Sequence, residues 1–203
     1  MYPSLLAKIE TIREANTMER RPTEMLEEEH HFIQKVVGAM AAVSERLEVG
    51  QEVDAETLQN IVEFMHTFAD KCHHGKEETH LFPVLERKGV PAGGCPLAVL
   101  MAEHQRGRAL VTGLATAAET YVRDGPSSKE PLLESLRGIT GLYPDHIWKE
   151  DYLLFPMTNK ILTPEEQKEL YDKFEMVERA IGAGVHHRFE QLAEKLDQET
   201  QRP

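Results

Sequence analysis

Cysteine is scarce: Cys72 and Cys95 are the two in 203 residues, too few for a disulfide framework, and a reducing compartment would keep both as thiols. Aromatic residues are 6%, with a single tryptophan, and β-branched runs are few, which argues against strands as the main element. Basic residues are outnumbered, 23 Lys plus Arg against 35 Asp plus Glu, for a net charge of −12, so neither a nucleic-acid backbone nor an anionic membrane face is expected as a partner. Long apolar runs are missing too. The longest uncharged stretch, 89–102, is broken by Pro91 and Pro96 and is too short to cross a bilayer. The opening Met1-Tyr2-Pro3-Ser4-Leu5-Leu6 has no basic leader before an apolar run, so no secretory signal is read and a cytoplasmic location is expected.

What the chain has in abundance is Glu, Leu, Ala, Lys, Met and Gln, and these favour helix along nearly its whole length. An all-α fold is expected. Gly and Pro punctuation near 20–23, 49–51, 88–94, 124–128 and 162–164 cuts the middle into four long helices, about 23–49, 54–88, 96–124 and 130–162. Asp54 is placed to cap the second, and Pro96 suits the first position of the third. Pro83, Pro144 and Pro156 fall inside the second and fourth, where each should kink or interrupt the helix. An N-terminal helix with Leu5, Ile9 and Ile12 at helical spacing is expected ahead of them. Thr163-Pro164-Glu165-Glu166 is a helix-start signature that opens a polar tail of two short helices divided near Gly182. The expected domains are therefore a four-helix unit with its N-terminal helix, 1–162, and a helical C-terminal extension, 163–203. That extension either packs on the bundle or mediates self-association into a homo-oligomer.

Ten histidines stand out, and they recur in order. Leu26-x-x-Glu29-His30 matches Leu100-x-x-Glu103-His104. His73-x-x-x-Glu77, followed by Leu81-Phe82-Pro83, matches His146-x-x-x-Glu150, followed by Leu154-Phe155-Pro156. One helix pair is thus repeated by the next, and two pairs bury their apolar faces together as a four-helix bundle. Residues four apart share a helix face, so His73 with Glu77, and His146 with Glu150, can each hold one metal ion. Walking back from His73 meets Ala69, Met65, Val62 and Leu58, an apolar face. Walking back from His74 meets Asp70, Lys71, Thr67 and Glu63, so His74 is expected to point outward. His30 lies in the seam Leu26, Ile33, Val37, Met40; His104 and His146 lie in similar seams.

Four imidazoles and two carboxylates converging in an apolar bundle need something to satisfy them. A pair of metal ions does so: mixed nitrogen and oxygen donors suit iron, manganese or zinc, whereas calcium and magnesium prefer oxygen alone. His74, Glu78 and Arg108 are candidates for groups just behind the ligands. Arg108, four residues past His104, should seek Glu77 or Glu150. Cys72 and Cys95 read as ordinary thiols, and His186-His187 as solvated.

The order His30, His73-x-x-x-Glu77, His104, His146-x-x-x-Glu150, with Leu-Phe-Pro after each pair, resembles the hemerythrin-like, or His-His-Glu cation-binding, family over roughly 23–162. The resemblance implies an up-down four-helix bundle holding two non-haem iron ions under an oxo or hydroxo bridge. Glu77 and Glu150 would be bridging ligands, and His30, His73, His104 and His146 terminal ones. The oxygen-carrying branch has a further His where Arg108 stands, so the chain is more similar to the six-ligand branch. That branch includes proteins of iron–sulfur cluster repair and nitrosative stress. No cysteine precedes Cys72, so the cysteine-bearing N-terminal domain usual in the repair group is not expected. The function implied is a di-iron protein that meets oxygen, nitric oxide or peroxide in sensing, stress response or iron homeostasis. The alternatives are a di-iron redox enzyme of peroxidase or nitric oxide reductase type, or a repair protein.

Overall fold

A computed structural model describes residues 20–182 and 184–200, and the N-terminal helix expected around Leu5, Ile9 and Ile12 lies outside them. Helix α1 is Pro22–Glu48, begun by Pro22 at a position where its missing N–H costs nothing. Helix α2, Ala55–Phe64, starts at Asp54, whose side chain accepts from Thr57 N at 2.8 Å. It runs on through π-helical stretches Met65–His74 and Glu77–Leu81 into α3, Phe82–Arg87. Helix α4 is Leu97–Asp124, with Pro96 one residue ahead as its N-cap. Helix α5, Lys129–Lys149, continues through the π-helical Glu150–Leu154 into α6, Phe155–Ile161. Thr163 and Glu166 form the expected reciprocal cap of α7, Pro164–Ile181, and α8 is Val185–Thr200.

Three prolines were expected to kink or interrupt their helices, and on interruption the outcome divides. Pro144 sits inside α5 without interrupting it. Pro83 and Pro156 each follow a π-helical turn, where widened i→i+5 bonding moves away the carbonyl that a proline ring would strike in a regular helix. Both wide turns begin on a glutamate of the repeat, Glu77 or Glu150.

Helix α4 packs on α5, α5 on α1, and α2 with its π-helical continuation on both α1 and α4, closing a four-helix bundle. Two apolar clusters fill it. The larger runs from Ile33 to Leu47 on α1 and takes in Leu58 to Ala69, Val111 to Tyr121 and Leu132 to Ile147. The smaller gathers Leu26, Leu81, Phe82, Leu85, Leu97, Leu100, Leu154 and Phe155. On every helix the repeated His and Glu fall between the two, so the polar layer is clamped from both ends by hydrocarbon. The tail packs on the bundle: Phe189, Ala193 and Leu196 of α8 join the larger cluster, and Leu170 and Phe174 of α7 the smaller. Among the described residues, no helix is long and apolar enough to cross a membrane.

Candidate metal centre

Six side chains meet in the polar layer: His30 from α1, His73 and Glu77 from the π-helical region after α2, His104 from α4, and His146 and Glu150 at the end of α5. All are buried. Glu150 is the hub, its carboxylate 3.0 Å from His30 Nε2, 3.5 Å from His104 Nε2 and 3.4 Å from His146 Nε2. Glu77 lies 3.7 Å from His73 Nε2 and 3.5 Å from His104 Nε2. None of these approaches is aligned as a hydrogen bond, and all four Nε2 atoms and all four carboxylate oxygens are left without a partner. Such atoms are costly in a core. Metal ions would satisfy them together, because imidazole nitrogen and carboxylate oxygen are both donors. His30, His73 and Glu150 form one group, and Glu77, His104 and Glu150 another, each with donor atoms within 4.8 Å of one another.

The opposite ring nitrogen of each histidine is held by a carboxylate. Asp151 lies 2.6 Å from His30 Nδ1, Glu29 lies 3.0 Å from His73 Nδ1, Glu78 lies 2.7 Å from His104 Nδ1, and Glu103 lies 3.1 Å from His146 Nδ1. A carboxylate there keeps the proton on Nδ1 and turns the Nε2 lone pair toward the centre, as around metal-bound histidines. The pattern obeys the repeat: the acidic residues just before His30 and His104 serve the histidines of the following helix. Those just after Glu77 and Glu150 serve the histidines of the other pair. Residues 21–158 match the family model of the hemerythrin HHE cation-binding domain.

The chain belongs to that family. It is also 24% identical over 152 residues to uncharacterized proteins of Mycobacterium tuberculosis and Mycobacterium bovis, covering 75% of this chain and 59% of theirs. The chain therefore spans about three-fifths of the length of the curated relatives it matches. No solved structure matches it.

Electrostatics in this hemerythrin-type centre are set by burial and crowding. Burial and the nearby Glu150 push the Glu77 carboxyl well above its usual range. Burial works the same way on Glu150, but His146, His104 and His30 outweigh it and hold that carboxyl down. Burial disfavours the charged form of His30, yet Asp151 and Glu150 overcome it and raise the imidazole to about 10. Burial together with positive His30 lowers His73 to about 4. With no metal these shifts favour the neutral Glu77 carboxyl and the charged His30, and metal binding works against both.

Three expectations need correction. His74 does not point outward: it is 2% exposed, its ring stacked on His104 at 3.9 Å. It is the last residue of the π-helical stretch Met65–His74, so a walk at α-helical spacing misplaced it. Burial and its neighbours His104, His73 and His146 hold it neutral. Arg108 bonds Glu78 and Asp70, both at 2.7 Å, rather than Glu77 or Glu150, and so braces the carboxylate that holds His104. His186 is not simply solvated: its Nε2 lies 2.9 Å from Glu29 Oε1.

Sequence reasoning did not single out Glu29, Glu103 or Asp151, although the first two stand in the repeated Leu-x-x-Glu-His. Glu29 also pairs with buried Lys76, which reaches Glu178 at 2.7 Å, and Glu103 pairs with Lys149 at 2.6 Å. Lys76 and Lys149 are three residues past His73 and His146, so a His-x-x-Lys-Glu spacing was the available signal. Beside this network Cys72 is buried, while Cys95 is exposed. Burial and Glu29 push the Cys72 thiol up, and only a thiolate attacks a disulfide reagent. One equivalent of such a reagent is therefore expected to react per native chain, at Cys95, and two after denaturation.

Proposed function

We propose that the protein holds two non-haem iron ions between its four bundle helices and meets a small oxidant there, in sensing, stress response or iron homeostasis. The observation that carries this reading is the convergence of four unpartnered Nε2 atoms and four unpartnered carboxylate oxygens on one buried layer. Glu77 and Glu150 would bridge, and His30, His73, His104 and His146 would bind terminally. Bound iron supplies a redox couple and an open coordination position for oxygen, nitric oxide or peroxide. The rest falls to the chain itself. Asp151, Glu29, Glu78 and Glu103 orient the imidazoles. Phe155 stacks on His30 at 5.5 Å and Phe82 on His104 at 5.7 Å, excluding water from one end.

A second reading, a di-iron redox enzyme, is favoured by one observation. A cavity of about 790 Å³ reaches inward to Asp70, His74, Arg108 and Tyr143, with Leu58, Val62 and Val111 along it. That is the size of a small-molecule pocket, far more than a diatomic gas requires.

Elemental analysis of anaerobically purified protein, with an absorption spectrum after air exposure, tests both. Two irons per chain and a near-ultraviolet charge-transfer band are expected. Stoichiometric zinc, or no metal, would overturn the redox and gas-binding readings and leave a structural bundle.

A further inference from the structure

The repeated helix pairs leave cavities on two matching faces of the bundle, and the two are furnished differently. The larger, about 790 Å³, lies between α4 and α2 with its π-helical continuation, and the other, about 630 Å³, between α1 and α5. When His30 is aligned with His104, and His73 with His146, the aliphatic walls correspond: Val111 and Ala115 of the first match Val37 and Ala41 of the second. The polar end does not. Asp70, His74 and Arg108 stand where the second cavity has Tyr143, Ile147 and Gln34. Packing at that place is served by Ile147, whereas His74 buries a ring nitrogen with no partner, which costs stability.

Three polar groups at the inner end of the larger cavity are left over. His74 Nδ1 has no hydrogen-bond partner, since Asp70 Oδ1, at 3.4 Å, is not aligned with it. Arg108 donates from Nε to Asp70 and from Nη2 to Glu78, which leaves Nη1. The hydroxyl of Tyr143, a residue 3% exposed, is bonded to nothing among the described residues. A ligand hydroxyl both donates and accepts, so it can meet His74 Nδ1 in either tautomer and the Arg108 or Tyr143 donor beside it. His74 and Tyr143 also offer ring faces there, stacked at 6.3 Å, which suits an aromatic body.

We propose that this cavity binds a neutral, mostly apolar molecule of phenol type by its hydroxyl group. That names a substrate class for the enzyme reading above and rests on that reading for the role of substrate, while the binding itself needs no metal. Charge selects the neutral form. Exposed Glu63 and Glu119 stand on the rim and repel an anion, and Arg108 is already held by two carboxylates. A cation fares no better inside, because Asp70 and Glu78 are both committed to Arg108. The remaining walls, Leu58, Val62, Val111 and Ala115, take an apolar body, as small-molecule sites do. Since His74 stacks on His104 at 3.9 Å, the hydroxyl end of the occupant sits one ring away from a candidate metal ligand.

The test is equilibrium dialysis of the full chain, as purified and after chelation, against three probes of one shape and different charge: 4-butylphenol, 4-butylbenzoate and 4-butylbenzylammonium. The phenol should bind both forms saturably, and each ion about 10-fold more weakly or worse, because its charge enters unpaired. Ala115→Phe, which fills the cavity, should abolish binding, whereas Ala41→Phe, at the matching place in the other cavity, should leave it unchanged. Tyr143→Phe should weaken it about 2- to 12-fold, the worth of one hydrogen bond. Circular dichroism checks folding, and the charge series on wild type decides the matter even if Ala115→Phe does not fold. No binding of 4-butylphenol, equal binding of the benzoate, or full binding by folded Ala115→Phe would overturn the assignment and leave the two-metal reading standing. Binding lost on chelation with helicity unchanged would overturn it too, by placing the phenol on the metal. Phenol bound to a chain that carries no iron would support the site and overturn the enzyme reading alone.

Discussion

Glu150→Ala is expected to strip both metal positions, taking the iron content from two per chain to none after dialysis against a chelator. The reason is its placement at the hub. Its two oxygens face His30, His104 and His146 at 3.0–3.5 Å, so its loss leaves both positions without their common bridge and removes the negative charge that offsets two cations. Glu77→Ala should act in the same direction, because Glu77 approaches one histidine on each side, His73 and His104. Circular dichroism should remain helical in both, since the apolar clusters above and below the layer are untouched. Two irons retained by Glu150→Ala would rule it out as a bridging ligand.

Lys76→Met should destabilise the fold by about 3–5 kcal/mol, the cost of leaving one partner of a buried ion pair uncompensated. Lys76 is fully buried against Glu29 and Glu178, and Glu29 is itself 1% exposed. The matching change in the second repeat, Lys149→Met, removes a pair whose lysine is 29% exposed, and should cost only about 0–1 kcal/mol. Denaturant unfolding of the metal-free forms measures the contrast. The pH dependence follows from Glu29. Burial alone would raise its carboxyl, but Lys76, His186 and His73 hold it well below 4.5. A depressed native value means that its contribution is fully present above the ordinary carboxylate range and is lost as pH falls through the depressed value. The gap between wild type and Lys76→Met should therefore be wide at neutral pH and close in acid. Equal costs for Lys76→Met and Lys149→Met would show that burial of the first pair does not matter.

Most of the fold could be read from the residues, because it rests on local signals. Helix formers, Gly and Pro punctuation, the Asp54 and Thr163 caps and the apolar seams act within one or two turns. The six candidate ligands could be read for the same reason: each shares a face with apolar residues at regular spacing, and the repeat ties the two halves together. His74 could not. Its burial depends on a π-helical stretch, and the backward walk assumed α-helical spacing. Glu29 and Glu103 were visible beside His30 and His104, but they serve the helix across from them, and only assembly shows that. His186 meets Glu29 from 157 residues away, with nothing in its own surroundings to announce it. Arg108 does lie on the face of its helix expected from its spacing, but the carboxylates nearest its guanidinium, Glu78 and Asp70, belong to the rim.

The C-terminal helices give the centre two unlike sides. Helix α7 supplies Glu178 and α8 supplies His186, and together they roof the Glu29–Lys76 pair that holds His73. Among the described residues nothing equivalent roofs the Glu103–Lys149 pair that holds His146, and it keeps contact with bulk water. A proton can thus pass between His146 and water through Glu103 alone, whereas the path to His73 runs through buried Glu29 and then His186 or Glu178. Three of the four histidines, His30, His104 and His146, stand one partly exposed carboxylate away from water, and the C-terminal helices set His73 one step further back.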